Sequence, residues 1–179
     1  MKKEILNRED IGRALSRMAY EIVERNKGTR DLCIVGIHRG GVHLARRLSE
    51  RIADIEGTQP PAASLDISFY RDDINMRKGR PAVHTTDIPF DINDKRIILV
   101  DDVIFTGRTI RAALDALMDF GRPAQIQLAV LIDRGHRELP IRADYAGKNV
   151  PTARTDAVKV FLVEEGGDDS VALIKEDAK

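Results

Sequence analysis

Arg96-Ile-Ile-Leu-Val-Asp-Asp-Val-Ile-Phe-Thr-Gly-Arg-Thr-Ile110 is the stretch on which the fold of this chain turns. Its apolar run, Ile97 to Val100, leads straight into two adjacent carboxylates, Asp101 and Asp102, and then into Val103, Ile104 and Phe105. An unbroken run rich in β-branched residues reads as a strand buried on both faces, hence a central strand of a parallel sheet. Thr106-Gly107-Arg108-Thr109 follows, and then an amphipathic helical pattern through Ile110, Ala113, Leu114, Leu117 and Met118. Gly107 lets the backbone turn closely, and Thr109 is the expected cap of the helix. A loop that opens a helix offers free N–H groups and the positive end of a dipole, which makes an anion site. Carboxylates beside an anion site make sense for a sugar phosphate, whose phosphate takes the N–H groups while its hydroxyls, or a bound Mg²⁺, face the acids. Successive side chains of a strand point to opposite sides, so Asp101 and Asp102 are expected to play unequal parts. The plainer alternative is a strand–turn–helix with a solvated Asp pair.

A second strand–glycine–helix unit lies upstream. Leu32-Cys-Ile-Val-Gly-Ile37 reads as a buried strand, His38-Arg39-Gly40-Gly41 as a loop, and Leu44, Leu48, Ile52 and Ile55 as a helical stripe. Arg39 beside paired glycines suits a diphosphate held by N–H groups and a guanidinium fork. Before it, Asn7 with Asp10 signals a helix start, Ile11, Leu15, Met18 and Ile22 continue at helical spacing, and Gly28 ends it.

Downstream, Leu65, Ile67 and Phe69 alternate with Asp66, Ser68 and Tyr70, which predicts a half-exposed strand. The charged stretch from Arg71 to Pro81 is either a surface hairpin or a mobile lid near 71–87 whose Arg71, Arg77, Lys78 and Arg80 close over a diphosphate and exclude water. Gln125 to Ile132 is a further strand, and Asp133 to Arg142, continuing through Tyr145, Gly147, Lys148 and Asn149, an unusual polar loop. Val158 to Val163 is a late strand, and Val171 to Ile174 an edge strand before a loose tail.

Composition sets outer limits. The 179 residues suit one domain, 1–179. Twenty-nine basic residues balance 29 acidic ones, which argues against a general nucleic-acid coat but not against a local basic patch. A single cysteine, Cys33, excludes an intramolecular disulfide or a Cys-rich metal site. No stretch is apolar enough for a membrane span and the first ten residues lack a signal segment, so a cytoplasmic protein is expected.

The central stretch resembles the phosphoribosyl-diphosphate (PRPP) signature of type I phosphoribosyltransferases: an apolar run, Asp-Asp, then Thr-Gly-x-Thr. Three runs together resemble a narrower family, the pyrimidine-operon regulators that are also uracil phosphoribosyltransferases. They are Ser68 to Asp73, Val100 to Thr109 and Gln127 to Tyr145, the last being the most specific. The resemblance implies an α/β fold with a mainly parallel central sheet flanked by helices and a small hood formed by the terminal segments. It implies conversion of uracil and PRPP to UMP and diphosphate with Mg²⁺, and binding of a pyrimidine-operon leader mRNA hairpin favoured by UMP or UTP. It also implies a homo-oligomer. The catalytic residues would be Asp101, Asp102 and Arg39. Asp101 and Asp102 would bind the ribose hydroxyls and meet the metal only through PRPP. His38 to Gly41 and Val103 to Thr109 would hold PRPP or UMP, that is His38, Arg39, Gly40 and Gly41 with Val103, Ile104, Phe105, Thr106, Gly107, Arg108 and Thr109. Asp133, Arg134 and the backbone near Val158 would recognise uracil, unless Arg134 merely pairs with Asp133 or Glu138 at the surface. Ser16, Arg17, Tyr20, His136, Arg137, Arg142 and Lys148 would face RNA; Tyr20 stands where the family often has His. The rival readings are a uracil phosphoribosyltransferase without RNA regulation and a purine phosphoribosyltransferase.

Overall fold

The computed structural model describes residues 2–73 and 84–175. Its elements in order are β1 (Lys2–Leu6), α1 (Arg8–Asn26), β2 (Leu32–Ile37), α2 (Gly40–Glu56), β3 (Ala62–Leu65), β4 (Arg96–Ile104), α3 (Arg108–Met118), β5 (Gln125–Asp133), β6 (Tyr145–Asn149), β7 (Ala157–Phe161), a short 3₁₀ turn (Val163–Glu165) and β8 (Ser170–Ile174).

The main sheet is parallel, in the order β3-β2-β4-β5-β6, with β4 at its centre. Alternation along its buried strands feeds two cores. Ile34, Ile98, Val100, Ala129 and Leu131 face one way and pack with Ile11, Leu15, Met18 and Ile22 of α1 and Leu44, Leu48 and Ile52 of α2. Cys33, Val35, Ile37, Ile97, Leu99, Leu128 and Val130 face the other way and pack with Ile110, Ala113 and Leu117 of α3. The chain runs outward from β2 to β3 and then returns to β4 on the other side of β2. Strand order therefore reverses between β2 and β4, where open α/β sheets place ligands at the carboxyl ends of the strands.

Helix α1 begins with the expected capping box. Asn7 Oδ1 accepts from Asp10 N at 2.9 Å, and Asp10 Oδ2 accepts from Asn7 N at 3.2 Å. It ends with Lys27 left-handed and Gly28 N donating to Val23 O. Helix α3 departs from expectation. Gly107, at φ 93, is its N-cap, Thr109 lies inside the first turn, and no side chain caps it. Just inside it, Arg108 N donates to Thr106 Oγ1 at 3.4 Å.

Four further elements differ from the sequence reading. The strand near residue 65 lies over Ala62–Leu65, and residues 66–70 turn away. The cause is Asp66, whose Oδ1 accepts from both Ser68 N and Ser68 Oγ and folds the chain back. Tyr145–Asn149 is not loop but β6, the edge strand beside β5. Lys2–Leu6 is a strand, β1. Finally, β8 is no edge: it is the middle strand of a separate antiparallel sheet, β1-β8-β7, and three of its residues are buried.

That small sheet is fastened to α2 by Arg47. Its guanidinium holds Glu164 at 2.5 and 2.8 Å and Asp169 at 2.7 and 2.9 Å. Another polar tie lies inside the core, where Asn26, Gln127 and Tyr145 satisfy one another: Tyr145 OH donates to Gln127 Oε1 at 2.5 Å, and Gln127 Nε2 to Asn26 Oδ1 at 3.0 Å. It joins the end of α1 to β5 and β6. No helix is long and apolar enough to cross a membrane among the described residues.

Candidate active site

Two loops meet where the strand order reverses, and glycine is the reason they can. An added Cβ on Gly41 would stand 2.4 Å from Val100 O and 3.2 Å from Asp101 Cα. One on Gly36 would stand 2.4 Å from Gly41 O and 2.5 Å from Val42 Cα. One on Gly40 would lie 2.9 Å from Asp102 Oδ2. The start of α2 therefore lies directly against the middle of β4, at Val100 and Asp101, and the His38–Gly41 loop borders the carboxylate pair. The His38–Arg39 peptide is cis.

The two carboxylates are placed unequally. Asp101 is buried and Asp102 half-buried. Each accepts a hydrogen bond from the next backbone N–H: Asp102 N to Asp101 Oδ1 at 2.9 Å, and Val103 N to Asp102 Oδ1 at 2.7 Å. Burial, reinforced by the neighbouring Asp102, pushes the Asp101 carboxyl well above the usual carboxylate range. Burial also raises that of Asp102. A pair of adjacent acids with pKa values raised by burial, beside a cavity, is a candidate functional site.

Beyond the pair, Val103 to Ile110 and Arg71 to Asp73 line a cavity of about 240 Å³. The Ile104–Thr109 loop forms one wall, with the first turn of α3 at its base. Arg71 is held by Asp73 at 2.8 and 2.9 Å. Arg108 does not point into empty solvent: Nη1 reaches Asp72 at 2.7 Å and Nε reaches Glu138 at 2.8 Å. On the β2 side, Arg39 is exposed and borders two further cavities. One, about 400 Å³, lies against Val160 to Leu162 and Glu165 to Gly167 of the small sheet. The other, about 280 Å³, is lined by His38, His43, His84 and Glu164 among others. His38 and His84 stack with ring centroids 4.8 Å apart, and His38 Nε2 lies 3.2 Å from Thr85 O. Burial lowers the pKa of His38.

Arg134 is buried, stacked 4.0 Å over the Phe105 ring, with Nε on Thr152 Oγ1 and Nη2 on Ala153 O. The surface pairing with Asp133 or Glu138 does not form, because other arginines take those acids. Arg137 holds Asp133 at 2.5 Å, and Glu138 is shared by Arg108 and Arg154. Val158 lies half-buried on β7, packed on the same core as Val103.

The residues expected to face RNA fall into two groups. Arg17 and Tyr20 are exposed on α1, and Arg17 Nη2 donates to Gly147 O at 2.6 Å, next to Lys148 of the edge strand. Lys148 is exposed, 3.3 Å from Ile5 O. Ser16 turns instead toward α2, where Arg51 meets its hydroxyl. In the loop after β5, Arg142 is exposed and His136 Nε2 donates to Thr152 O at 2.6 Å. Arg137 is turned inward: it donates to Ile141 O, Phe105 O, Gly135 O and Asp133. It braces the loop. The lid residues Arg77, Lys78 and Arg80 lie outside the described residues, as does most of the 71–87 segment.

Sequence reasoning did not find Asp72 and Glu138 as partners of Arg108, the Phe105–Arg134 stack, or His84. Each depends on which loops meet at the sheet's carboxyl end, which no local pattern carries.

A fold of this topology with a glycine loop, a carboxylate pair and an open helix start defines a class. The chain belongs to the phosphoribosyl transferase family, whose domain description, "Phosphoribosyl transferase domain", matches residues 1–165. The relatives narrow this to the PyrR family. The chain is 59% identical to the "Bifunctional protein PyrR" of Caldicellulosiruptor bescii over 97% of this chain and 95% of that protein. It is 56% identical to the "Bifunctional protein PyrR" of Deinococcus radiodurans over 96% and 94%. Among solved structures it is similar in fold to the hypoxanthine phosphoribosyltransferase of Trypanosoma cruzi, with a TM-score of 0.73 at 19% identity, covering 98% of this chain and 97% of that one.

Proposed function

We propose that this protein converts uracil and PRPP to UMP and diphosphate, and also binds a leader hairpin of pyrimidine-biosynthesis mRNA in response to uridine nucleotides. The observation that carries the enzyme half is the junction of Gly40 and Gly41 with Asp101 and Asp102, which sets an anion loop and a second anion-binding helix start on either side of a carboxylate pair. PRPP carries phosphate at both ends of a ribose, and this spacing suits it.

In this reading, the Ile104–Thr109 loop takes the 5′-phosphate and Asp101 and Asp102 the ribose hydroxyls. His38 to Gly41 and Arg39 take the diphosphate. The anomeric carbon gains positive charge as its bond to the diphosphate oxygen breaks, and the acids face that charge while uracil N1 attacks and its proton leaves with the diphosphate. The protein positions and neutralises rather than shuttling protons. Among the described residues no group of three or more His, Cys, Asp or Glu could hold a metal ion. Mg²⁺ would arrive on PRPP, with Asp101 and Asp102 meeting it only through the sugar, and its chemistry there would be to neutralise the diphosphate.

Arg134 on Phe105, with Asp133 and the β7 backbone near Val158, forms the uracil wall. The small sheet acts as the hood, and the 71–87 segment as the lid. The RNA face is the α1/β6 edge, with Arg17, Tyr20 and Lys148, continued by Arg142 and His136; Arg137 supports it from within. The protein works in the cytoplasm as a homo-oligomer.

The test is in two parts. Purified protein supplied with PRPP and uracil, hypoxanthine or guanine should make a nucleotide from uracil alone; turnover of a purine base would sink the substrate assignment. The same protein should bind its own pyrimidine-operon leader RNA more tightly with UMP present, and an unrelated hairpin weakly. Binding indifferent to both UMP and sequence would remove the regulatory half.

A further inference from the structure

The loop after β5 rests on the phosphate loop, and one carboxylate carries the contact further. Glu138 N and Leu139 N both donate to Thr106 O, at 2.9 and 3.2 Å. Gly107 faces Leu139 and Ile141, whose Cβ atoms lie 3.5 Å from where its own Cβ would be. Glu138 Oε2 takes Arg108 Nε at 2.8 Å, while Oε1 takes Arg154. Arg154 directly follows Thr152 and Ala153, the two residues that hold the guanidinium of Arg134 over Phe105. Arg108 also reaches Asp72 on the segment that opens the lid.

We propose that Glu138 is a positioning residue, through which the loop that takes the ribose phosphate holds the wall that takes the base. This rests on the uracil phosphoribosyltransferase reading above. A dianion entering beside Arg108 fixes that guanidinium at the start of α3. Glu138 follows Arg108, Arg154 follows Glu138, and the 152–154 segment sets the Arg134 stack. Occupancy of the phosphate loop therefore raises affinity for the base, and linkage makes the effect mutual. Glu138 touches no substrate in this scheme.

The experiment is steady-state kinetics of the full chain with uracil and PRPP, for wild type, Glu138→Gln, Arg154→Met and the double variant. Glu138→Gln keeps the shape and removes the charge. Its KM for uracil should rise about three- to tenfold, the size of a small, partly exposed ion-pair network. By the same linkage its KM for PRPP at saturating uracil should rise by the same factor, while kcat and the Kd for PRPP without uracil stay within about twofold and Tm within about 2 °C. The double variant should be no worse than Glu138→Gln, because the two residues act in series. Raising salt should lift the wild-type uracil KM toward that of the variant and leave the variant unmoved. An unchanged uracil KM in Glu138→Gln would overturn the proposal. So would a fall in kcat and Tm together with weaker binding of PRPP alone, which would mark a merely structural role. Failure of wild type to use uracil at all would instead overturn the functional reading, and is seen before any variant is made.

Discussion

Gly41→Ala is the sharpest perturbation this structure offers. The new methyl would stand 2.4 Å from Val100 O and 3.2 Å from both Val100 C and Asp101 Cα. All three atoms belong to the backbone of β4, and Val100 is fully packed at 1% exposure. Overpacking a core costs about 1–3 kcal/mol when side chains can shift. Here only main chain of the central strand could move, so the top of that range, about 3 kcal/mol, is expected. For a chain of this size each kcal/mol moves Tm by about 2–4 °C, so the melting point should fall by about 6–12 °C. The cheapest relief is for the start of α2 to back away from β4, which separates the His38–Gly41 loop from Asp102. A misplacement of about 1 Å between reacting groups can cost about 100-fold in rate. Thermal melting beside a PRPP titration of initial rates would read both effects. Gly57→Ala is the control: it is left-handed at φ 72 with nothing within 4 Å of its Cβ position. It should lose about 1–2 kcal/mol from backbone strain alone, with the KM for PRPP unchanged. A Gly41→Ala protein with wild-type Tm and wild-type PRPP kinetics would refute the steric account of how the two loops meet.

Other outcomes follow from the same geometry. Asp102→Asn should cut kcat by about 100- to 1000-fold with the fold intact by circular dichroism, as removal of one charge-stabilising group does; wild-type turnover would remove Asp102 from the ribose site. Asp101 has its folded pKa raised by burial, so the unfolded chain releases that proton at lower pH, and stability is lost as pH climbs from the ordinary carboxylate value toward the folded one. Asp101→Asn should therefore be more stable than wild type in urea at pH 7 and gain little at pH 4, and an equal gain at both would contradict the linkage. Arg47 holds the carboxyls of Glu164 and Asp169 below their usual range, so its contribution is present above the unfolded carboxylate pKa and lost as pH falls through the depressed values. Arg47→Ala should lose about 3 kcal/mol at neutral pH by leaving partly buried acids unpaired, and the deficit should shrink in acid. For RNA, each phosphate neutralised by a cation adds about 0.7–0.9 to the log–log salt slope, so Arg142→Ala with Lys148→Ala should lower that slope by about 1.4–1.8; an unchanged slope would place the RNA elsewhere.

Legibility followed burial. The strands β2, β4 and β5 are sheathed on both faces and announce themselves as continuous apolar runs, and both glycine loops follow directly on β2 and β4. The strand β6 hid because Tyr-Ala-Gly-Lys-Asn has no β-branched residue and needs none, being an edge with one buried residue. Alternation from Leu65 to Tyr70 imitated a strand, but a local Asp66–Ser68 hydrogen-bond pair outcompeted the ladder. The short run Val171 to Ile174 could be seen as a strand but not as the centre of a sheet, since its neighbours include one from the opposite end of the chain. In the site, the carboxylates and glycines were legible from spacing. The fate of each arginine was not: Arg137 and Arg142 look alike in sequence, yet one is spent on three carbonyls and a carboxylate while the other stays at the surface. A guanidinium's partners are fixed by tertiary approach.

Pairing of Lys2 with Ile174 and Glu4 with Ala172 has a consequence for biosynthesis. Of the described elements the ribosome makes β1 before all the others and β8 after them, so β1 waits for every element between them before it has a partner. The parallel sheet and its two glycine loops can be complete while the β1-β8-β7 sheet is still impossible. A nascent chain would thus own both glycine loops before it owns the small sheet beside Arg39. The small sheet can close only once β8 has been made.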